Sequence, residues 1–436
     1  MSNREVVTRP AATQSTIEGA STAQTATYPG LPAFVRGEGC WLFDANGQRY
    51  FDCTAGSGAL NLGHNLPRVM AAATSQIQRL IHTGSMLHAD VRDRLVDKLG
   101  GCSPYSPCAV LLTVIGTEAI EAVLKVARAY TGRRTIIAFD YSYHGKSTGA
   151  LSITWRERYR QFSPLPFDTV YSAPYPVPHS PFPEDHAESC LQALEATIRR
   201  LQAEGNPPAA VVLEPAQCTE GILVPGTAFL NGVIKLAHDA DALVIFDEIY
   251  TGFGRCGTLF YSDRPGLRPD LMVIGKSLAN GFPISAVLGS PDVINALPSG
   301  VHTSTFAGHP VACAVACEVI DLMNDSKPWR QALATGQQLT AFLQKLESSF
   351  SFIASARGEA MMLGFDCVNQ EGQPFPELTK TFAMVAMQKR LILHFGGFQD
   401  CTIKLTPPLT ADEAAIHFLT ETLFEVAEEI EWELSR

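Results

Sequence analysis

The sequence predicts an α/β protein: a parallel sheet with helices between its strands, completed by a second, smaller α+β domain. Three observations carry this expectation. Three short apolar runs, AAVVLEP (209–215), DALVIFDE (241–248) and LMVIGK (271–276), alternate with helical stretches, which implies βαβ units. Each run meets a charged residue at its end, Glu214, Asp247 or Lys276, and ligands of such sheets bind beyond the carboxyl ends of the strands. After about residue 330 the pattern changes to helices with a few strands.

The elements follow in order. The opening AATQSTIEGASTAQTAT is small and polar, so residues 1–28 are expected to be a disordered tail. CWLFDANGQRYFDC (40–53) reads as a β-hairpin around Asn46-Gly47, because two aromatic-rich runs flank a turn dipeptide. It falls in residues 29–75, taken as the N-terminal part of the small domain. Helical patterns run from Pro67 to Gly100. EAIEAVLKVARAYTG (118–132) is a helix with Gly132 as its stop signal. RTIIAFD (134–140) reads as a strand, 163–185 as a proline-rich loop and 186–204 as a helix. These elements and the three apolar runs place a large domain over 76–329. Residues 330–436, with the C-terminal helix ADEAAIHFLTETLFEVAEEIEWEL, make up the rest of the small domain.

Composition excludes several classes. The 436 residues are too many for one compact core. Net charge is −11 and no run of Lys or Arg stands out, so the electrostatic footprint of a nucleic-acid binder is missing. No apolar stretch reaches the length of a membrane span. Eleven cysteines lie scattered without C-x-x-C spacing, which points to a reducing, cytoplasmic compartment and to no metal site.

A desolvated lysine at a strand end has its pKa lowered and becomes a free amine, able to form a Schiff base with an aldehyde. Lys276 stands at such a place, and Asp247 nearby can hold a positive charge. That pairing suits pyridoxal phosphate, whose pyridine nitrogen must stay protonated. Taken alone, Lys276 also fits an ordinary solvated strand-end lysine. Gly116 and Thr117 precede a helix whose first N–H groups and dipole form an anion site for a phosphate. Thr117 reads equally as a plain N-cap. Tyr143, before His144 and just after a strand, offers a ring to stack on the cofactor. Ile249, two residues past Asp247 and so on the same side of the strand, offers a second face. A loop aromatic packed on the core and a simple core residue are the ordinary alternatives for these two.

With those residues collected, the chain resembles the class III pyridoxal-phosphate aminotransferases, the group of ornithine, 4-aminobutyrate and diaminobutyrate aminotransferases. The resemblance covers roughly residues 30 to 430 and rests on nine blocks in order: LFDANGQRYFD, GSGALNLGHNLP, GTEAIEAVLKVAR, YHG, LEPAQ, IFDEIYTGFGRCG, IGKSLANGFP, STFAGHPVACAVA and IKLTPPLT. It implies fold type I with a mixed, mainly parallel seven-stranded sheet, and a homodimer with the active site at the subunit interface. It implies Lys276 as the Schiff-base lysine and proton shuttle, and Asp247 as partner of the pyridinium. It implies Gly116 and Thr117 at the phosphate with Thr305 of the neighbouring subunit. Tyr143 and His144 would lie against the ring, with Glu214 supporting the site.

Three positions depart from the family pattern. Relatives commonly carry Arg before PPL, where this chain has Lys404, a point charge in place of a fork. A glutamate of many relatives is replaced by Thr219, and Glu220 follows. Lys146 stands where 4-aminobutyrate enzymes place an arginine. Lys146, Thr219 and Lys404 are therefore candidate substrate contacts, with solvated surface lysines as the alternative for the two lysines. Tyr250 lies where several relatives have a glutamine.

The expected function is transfer of an amino group between a primary amine, ω or side-chain, and a keto acid such as 2-oxoglutarate. The alternative is an amino acid racemase, epimerase or aminomutase on the same fold, because both chemistries need Lys276 and the cofactor ring.

Overall fold

The computed structural model describes residues 32–161, 170–177 and 183–436. The expected disordered tail and residues 163–169 and 178–182 of the expected proline-rich loop lie outside the described residues; within that loop, residues 170–173 form a strand instead, because they pair in parallel with residues 136–139. A seven-stranded sheet forms the centre, in the order β4 (Ala109–Thr113), β10 (Ser285–Gly289), β9 (Leu271–Ile274), β8 (Leu243–Asp247), β7 (Pro208–Leu213), β5 (Thr135–Phe139) and β6 (Val170–Ala173). Strands β6, β5, β7, β8 and β9 pair in parallel, while β10 runs antiparallel to both β9 and β4. The sheet is thus mixed and mainly parallel, as expected.

Every residue of β7, β8 and β9 is buried. A parallel sheet covered by helices on both faces has no wet side, so its strands read as unbroken apolar runs. Alternation still decides which face each residue serves. Val211, Leu213, Val244 and Phe246 pack with Phe229 and Leu230 of the helix Thr227–Asp239. Ala210, Val212, Leu243 and Ile245 face the helix Gly116–Thr131, which buries Ala119, Ile120, Ala122, Val123 and Ala127. The small side chains of that helix bring it close to the sheet, and it stops at Gly132 as its sequence predicts.

The N-terminal strands β1 (Phe34–Glu38), β2 (Trp41–Asp44) and β3 (Arg49–Asp52) form antiparallel pairs, with Trp41 opposite Phe51 across the Asn46-Gly47 turn. β13 (Leu391–Ile392) joins β3 in parallel, Leu391 beside Phe51, so the two ends of the chain share one sheet. A further sheet has the order β11 (Ile353–Glu359), β12 (Met362–Cys367), β15 (Thr402–Leu405), β14 (His394–Gly396). The last helix, Glu413–Leu434, begins at Asp412, whose carboxylate accepts from the Ala415 N–H at 2.8 Å. The fully buried Arg255 binds these parts together: it donates to Asn61 Oδ1 at 2.6 Å, to the Pro407 carbonyl at 2.6 Å and to the Met361 carbonyl at 2.8 Å.

Candidate active site

The register of the central strands gathers the polar groups. Leu213 pairs with Phe246 and Asp247 with Val273, so Glu214 and Asp247 leave the sheet side by side. β9 ends at Ile274, and Lys276 takes φ +43°, a left-handed conformation that turns the chain out of the sheet. A non-glycine residue held there stores strain, and such strain concentrates at functional sites.

Of the residues singled out from the sequence, Gly116, Thr117, Tyr143, His144, Lys146, Glu214, Thr219, Asp247, Ile249 and Lys276 line one cavity of about 320 Å³. Gly145, Ser147 and Tyr250 complete it. Lys404 lies instead in an adjoining cavity of about 540 Å³, which meets the first at Thr219. Thr305 is exposed on a turn and does not line either cavity.

Asp247 is tightly held. One carboxylate oxygen lies 2.7 Å from His144 Nδ1, and the other accepts from the Ile249 N–H at 3.1 Å. His144 is buried, and its Nε2 has no hydrogen-bond partner. Burial alone would push the His144 pKa down; the hydrogen bond and charge of Asp247, reinforced by Glu214, outweigh it and raise the pKa. Glu214, buried beside them, accepts from the Tyr143 N–H at 2.8 Å. Burial pushes its carboxyl up to about 7, with the negative Asp247 adding to the rise. Burial also lowers the Lys276 amine below the ordinary lysine range, against the opposing pull of Cys218, Asp247 and Glu214. Its Nζ sits 4.0 Å from the centre of the Tyr250 ring, whose hydroxyl lies 3.1 Å from Thr406 Oγ1.

The helix Gly116–Thr131 begins behind Ile115 with no side-chain cap, so Thr117 is not the N-cap. Its Oγ1 lies 2.8 Å from Ser147 Oγ and accepts from the Ser147 N–H at 3.3 Å. At the helix start the Glu118 and Ala119 N–H groups bond the Ile115 carbonyl at 3.0 and 3.1 Å, and those of Gly116 and Thr117 have no preceding turn to bond. Two glycines keep the cradle open. A Cβ on Gly116 would stand 2.7 Å from Ile249 Cδ1, and one on Gly145, at φ +126°, would stand 2.4 Å from Thr117 Oγ1. Ile249 reaches the cavity through the turn after β8 rather than by strand alternation, because β8 ends at Asp247. Lys146 is exposed, its Nζ 4.3 Å from the Tyr159 ring centre. Lys404 is buried and donates to the Thr219 carbonyl at 2.9 Å, so it is not a solvated surface lysine.

These residues fit pyridoxal phosphate. A helix start with a close-approach glycine suits the phosphate. An apolar and an aromatic wall suit the ring. A carboxylate fixed by a buried histidine suits a pyridinium, and a depressed amine suits an aldehyde.

Residues 23–426 match the profile of the family described as aminotransferase class-III. The chain belongs to that family. The proteins it is similar to include the 2-aminoadipate transaminase of Pseudomonas putida, 33% identical over 89% of this chain and 95% of that protein. They also include the alanine/serine racemase of Pyrococcus horikoshii, 30% identical over 88% of this chain and 82% of the other. Among solved structures, an amine transaminase from an uncultivated Pseudomonas species, with pyridoxal phosphate bound, superposes with a TM-score of 0.87 at 25% identity. That match covers 96% of this chain and 99% of that one. This chain is a pyridoxal-phosphate-dependent class III transaminase that moves an amino group between an amine and a keto acid.

Sequence reasoning passed over Ser147, Arg156 and His394. Ser147 directly follows Lys146, so its hydroxyl was legible as a polar group. Arg156 and His394 carry no local signal; contacts between distant segments bring them to the second cavity. His394 lies opposite Lys404 across β14 and β15, and its Nε2 is 3.3 Å from Ser57 Oγ. Burial, with Lys404 beside it, holds its pKa down to about 4.

Proposed function

We propose that Lys276 holds the cofactor aldehyde as a Schiff base and carries the proton, and that Asp247 keeps the pyridine nitrogen protonated. The observation that carries this reading is the single cavity where a depressed lysine amine, a histidine-fixed aspartate and an uncapped helix start converge. Pyridoxal phosphate supplies an electron sink conjugated with the substrate nitrogen. Lys276, as a free amine, would move the proton of the substrate carbon. Asp247, with His144 behind it, holds positive charge opposite. Gly116 and Thr117 bind the phosphate at the helix start, beside Ser147, whose hydroxyl donates to Glu121 Oε1 at 2.6 Å. Tyr143 and Ile249 cover the two ring faces, and the Glu214 carboxyl fixes the Tyr143 backbone.

The donor is a primary amine, ω or side-chain, and the acceptor a keto acid such as 2-oxoglutarate. Lys404, Thr219 and Lys146 contact the substrate. The enzyme works as a homodimer in the cytoplasm. The dimer is supported by an exposed apolar surface: Ile81, Met86 and Leu87 are 56%, 94% and 64% exposed, and Phe306 is 55% exposed. The His82 and Phe306 rings lie 5.1 Å apart, so the two segments form one surface next to Thr305. In the dimer, Thr305 reaches the phosphate bound by the other subunit. The cytoplasm is supported by eleven cysteines that are all free thiols.

Holo-protein is expected to show a visible absorbance band that borohydride removes, and to convert 2-oxoglutarate to glutamate with an amine donor. A Lys276→Ala variant should lose both. Glutamate formation by that variant at the wild-type rate would end the assignment. A monomer by light scattering with full activity would end the dimer. Racemisation stays a second reading, favoured by the similarity to the Pyrococcus racemase. Entry of solvent deuterium at a chiral carbon without any keto acid would favour it over transfer.

A further inference from the structure

The second cavity contains a cation that the roles above leave unused. Arg156 is almost fully buried, and its guanidinium is spread over three partners. Nε donates to both Glu220 oxygens at 3.1 Å, Nη2 binds Glu220 Oε2 and the Gly397 carbonyl, and Nη1 donates to Asp400 Oδ1 at 2.9 Å. We infer that Arg156 anchors the distal carboxylate of a dicarboxylic acceptor, and that Asp400 occupies this anchor until the acceptor enters. This rests on the transamination reading and adds to it the group that separates two-acid from one-acid acceptors.

The two carboxylates on Arg156 are not equivalent. The Glu220 side chain is 1% exposed and forks across the guanidinium, so removing it would strand a buried charge. The Asp400 side chain is 51% exposed and meets one nitrogen. Asp400 also sits in a left-handed conformation, φ +53°, at the end of a turn closed by its own N–H to the Gly397 carbonyl at 3.0 Å. The half-exposed Asp400 carboxylate can leave for water at little desolvation cost, while Glu220 keeps the guanidinium oriented. One carboxylate can therefore replace another on the same nitrogen without uncovering a charge.

The cavity is built for an anion. Arg156, Arg158, Lys380 and Lys404 line it against Glu220 and Asp400. With Asp400 swung out, four cations face one carboxylate. The cavity shares Thr219 in its wall with the Lys276 cavity. An acceptor with one carboxylate has nothing to place against Arg156.

The test is the ratio of KM for 2-oxoglutarate to KM for pyruvate, measured with holoenzyme and one amine donor. Asp400→Asn removes the internal competitor and should lower that ratio by a factor of about two to five, the scale of an exposed ion pair. Arg156→Lys keeps the charge but loses the fork, and should raise the ratio at least about tenfold. A ratio that Asp400→Asn leaves unmoved or raises overturns the inference, as does an Arg156→Lys variant that shifts both KM values equally. If Arg156→Lys melts early, Asp400→Asn decides alone. A wild-type enzyme that takes pyruvate but not 2-oxoglutarate overturns this assignment and leaves transamination standing. One that takes neither overturns both.

Discussion

Replacing Glu214 by Gln should raise the stability of the cofactor-free protein, and only above acid pH. The carboxyl ionises near 4.5 in the unfolded chain and near 7 in the fold, where burial disfavours its charge. Below pH 4.5 it is neutral in both states and contributes nothing. Between 4.5 and 7 the folded state binds the extra proton, so stability falls as pH rises. Above 7 both states are charged, and the fold carries the full penalty. The difference of about 2.5 pKa units corresponds to roughly 3 kcal/mol. Gln keeps an acceptor for the Tyr143 N–H at nearly the same shape and has no charge to bury. For 436 residues the unfolding entropy is roughly 0.9 kcal/mol/K, so the variant should melt about 3 °C higher at pH 8. At pH 4.5 the two proteins should melt together. The assay is scanning calorimetry of both apo-proteins at four pH values from 4.5 to 8. A melting difference that is the same at every pH would refute the reasoning, because a gain from packing alone does not titrate.

Other outcomes follow from the same geometry. Asp247→Asn should lower kcat by about 10²–10³, because the variant no longer holds charge opposite the amine; steady-state kinetics with saturating cofactor checks it, and a loss below tenfold would remove Asp247 from its role. Gly145→Ala should weaken cofactor binding at least about tenfold, since a Cβ 2.4 Å from Thr117 Oγ1 forces the phosphate cradle apart at a φ of +126°. Equilibrium dialysis measures it, and unchanged affinity would move the phosphate elsewhere. Lys404→Met should raise KM for donors that carry a carboxylate by about tenfold and leave simple amines within twofold. Equal effects on both donor types would return Lys404 to a structural role.

Some of the site was legible before any coordinates. The apolar runs named the central strands, because a sheet covered on both faces tolerates little else. Their charged ends singled out Glu214, Asp247 and Lys276, which the fold brings to one cavity. Thr117 shows where that reasoning stopped. Its place before a helix suggested a cap, and only the fold brings Ser147 against its hydroxyl. Ile249 was assigned to the site by strand alternation, yet a turn delivers it there. Lys404 read equally well as a surface lysine until β12 and β14 closed over it on either side of β15.

The sequence by itself determined four of the central strands, β5, β7, β8 and β9, and the charged residues at the ends of three of them, because periodicity and strand-end charge are local properties of the chain. Tertiary structure alone decided which groups face each other. His144 meets Asp247 across 103 residues and Arg156 meets Glu220 across 64. The shifts of Glu214, Lys276 and His394 arise from the removal of water and from charges that other segments bring beside them. Neither can be read from a single stretch, because desolvation and charge pairing belong to the space between segments.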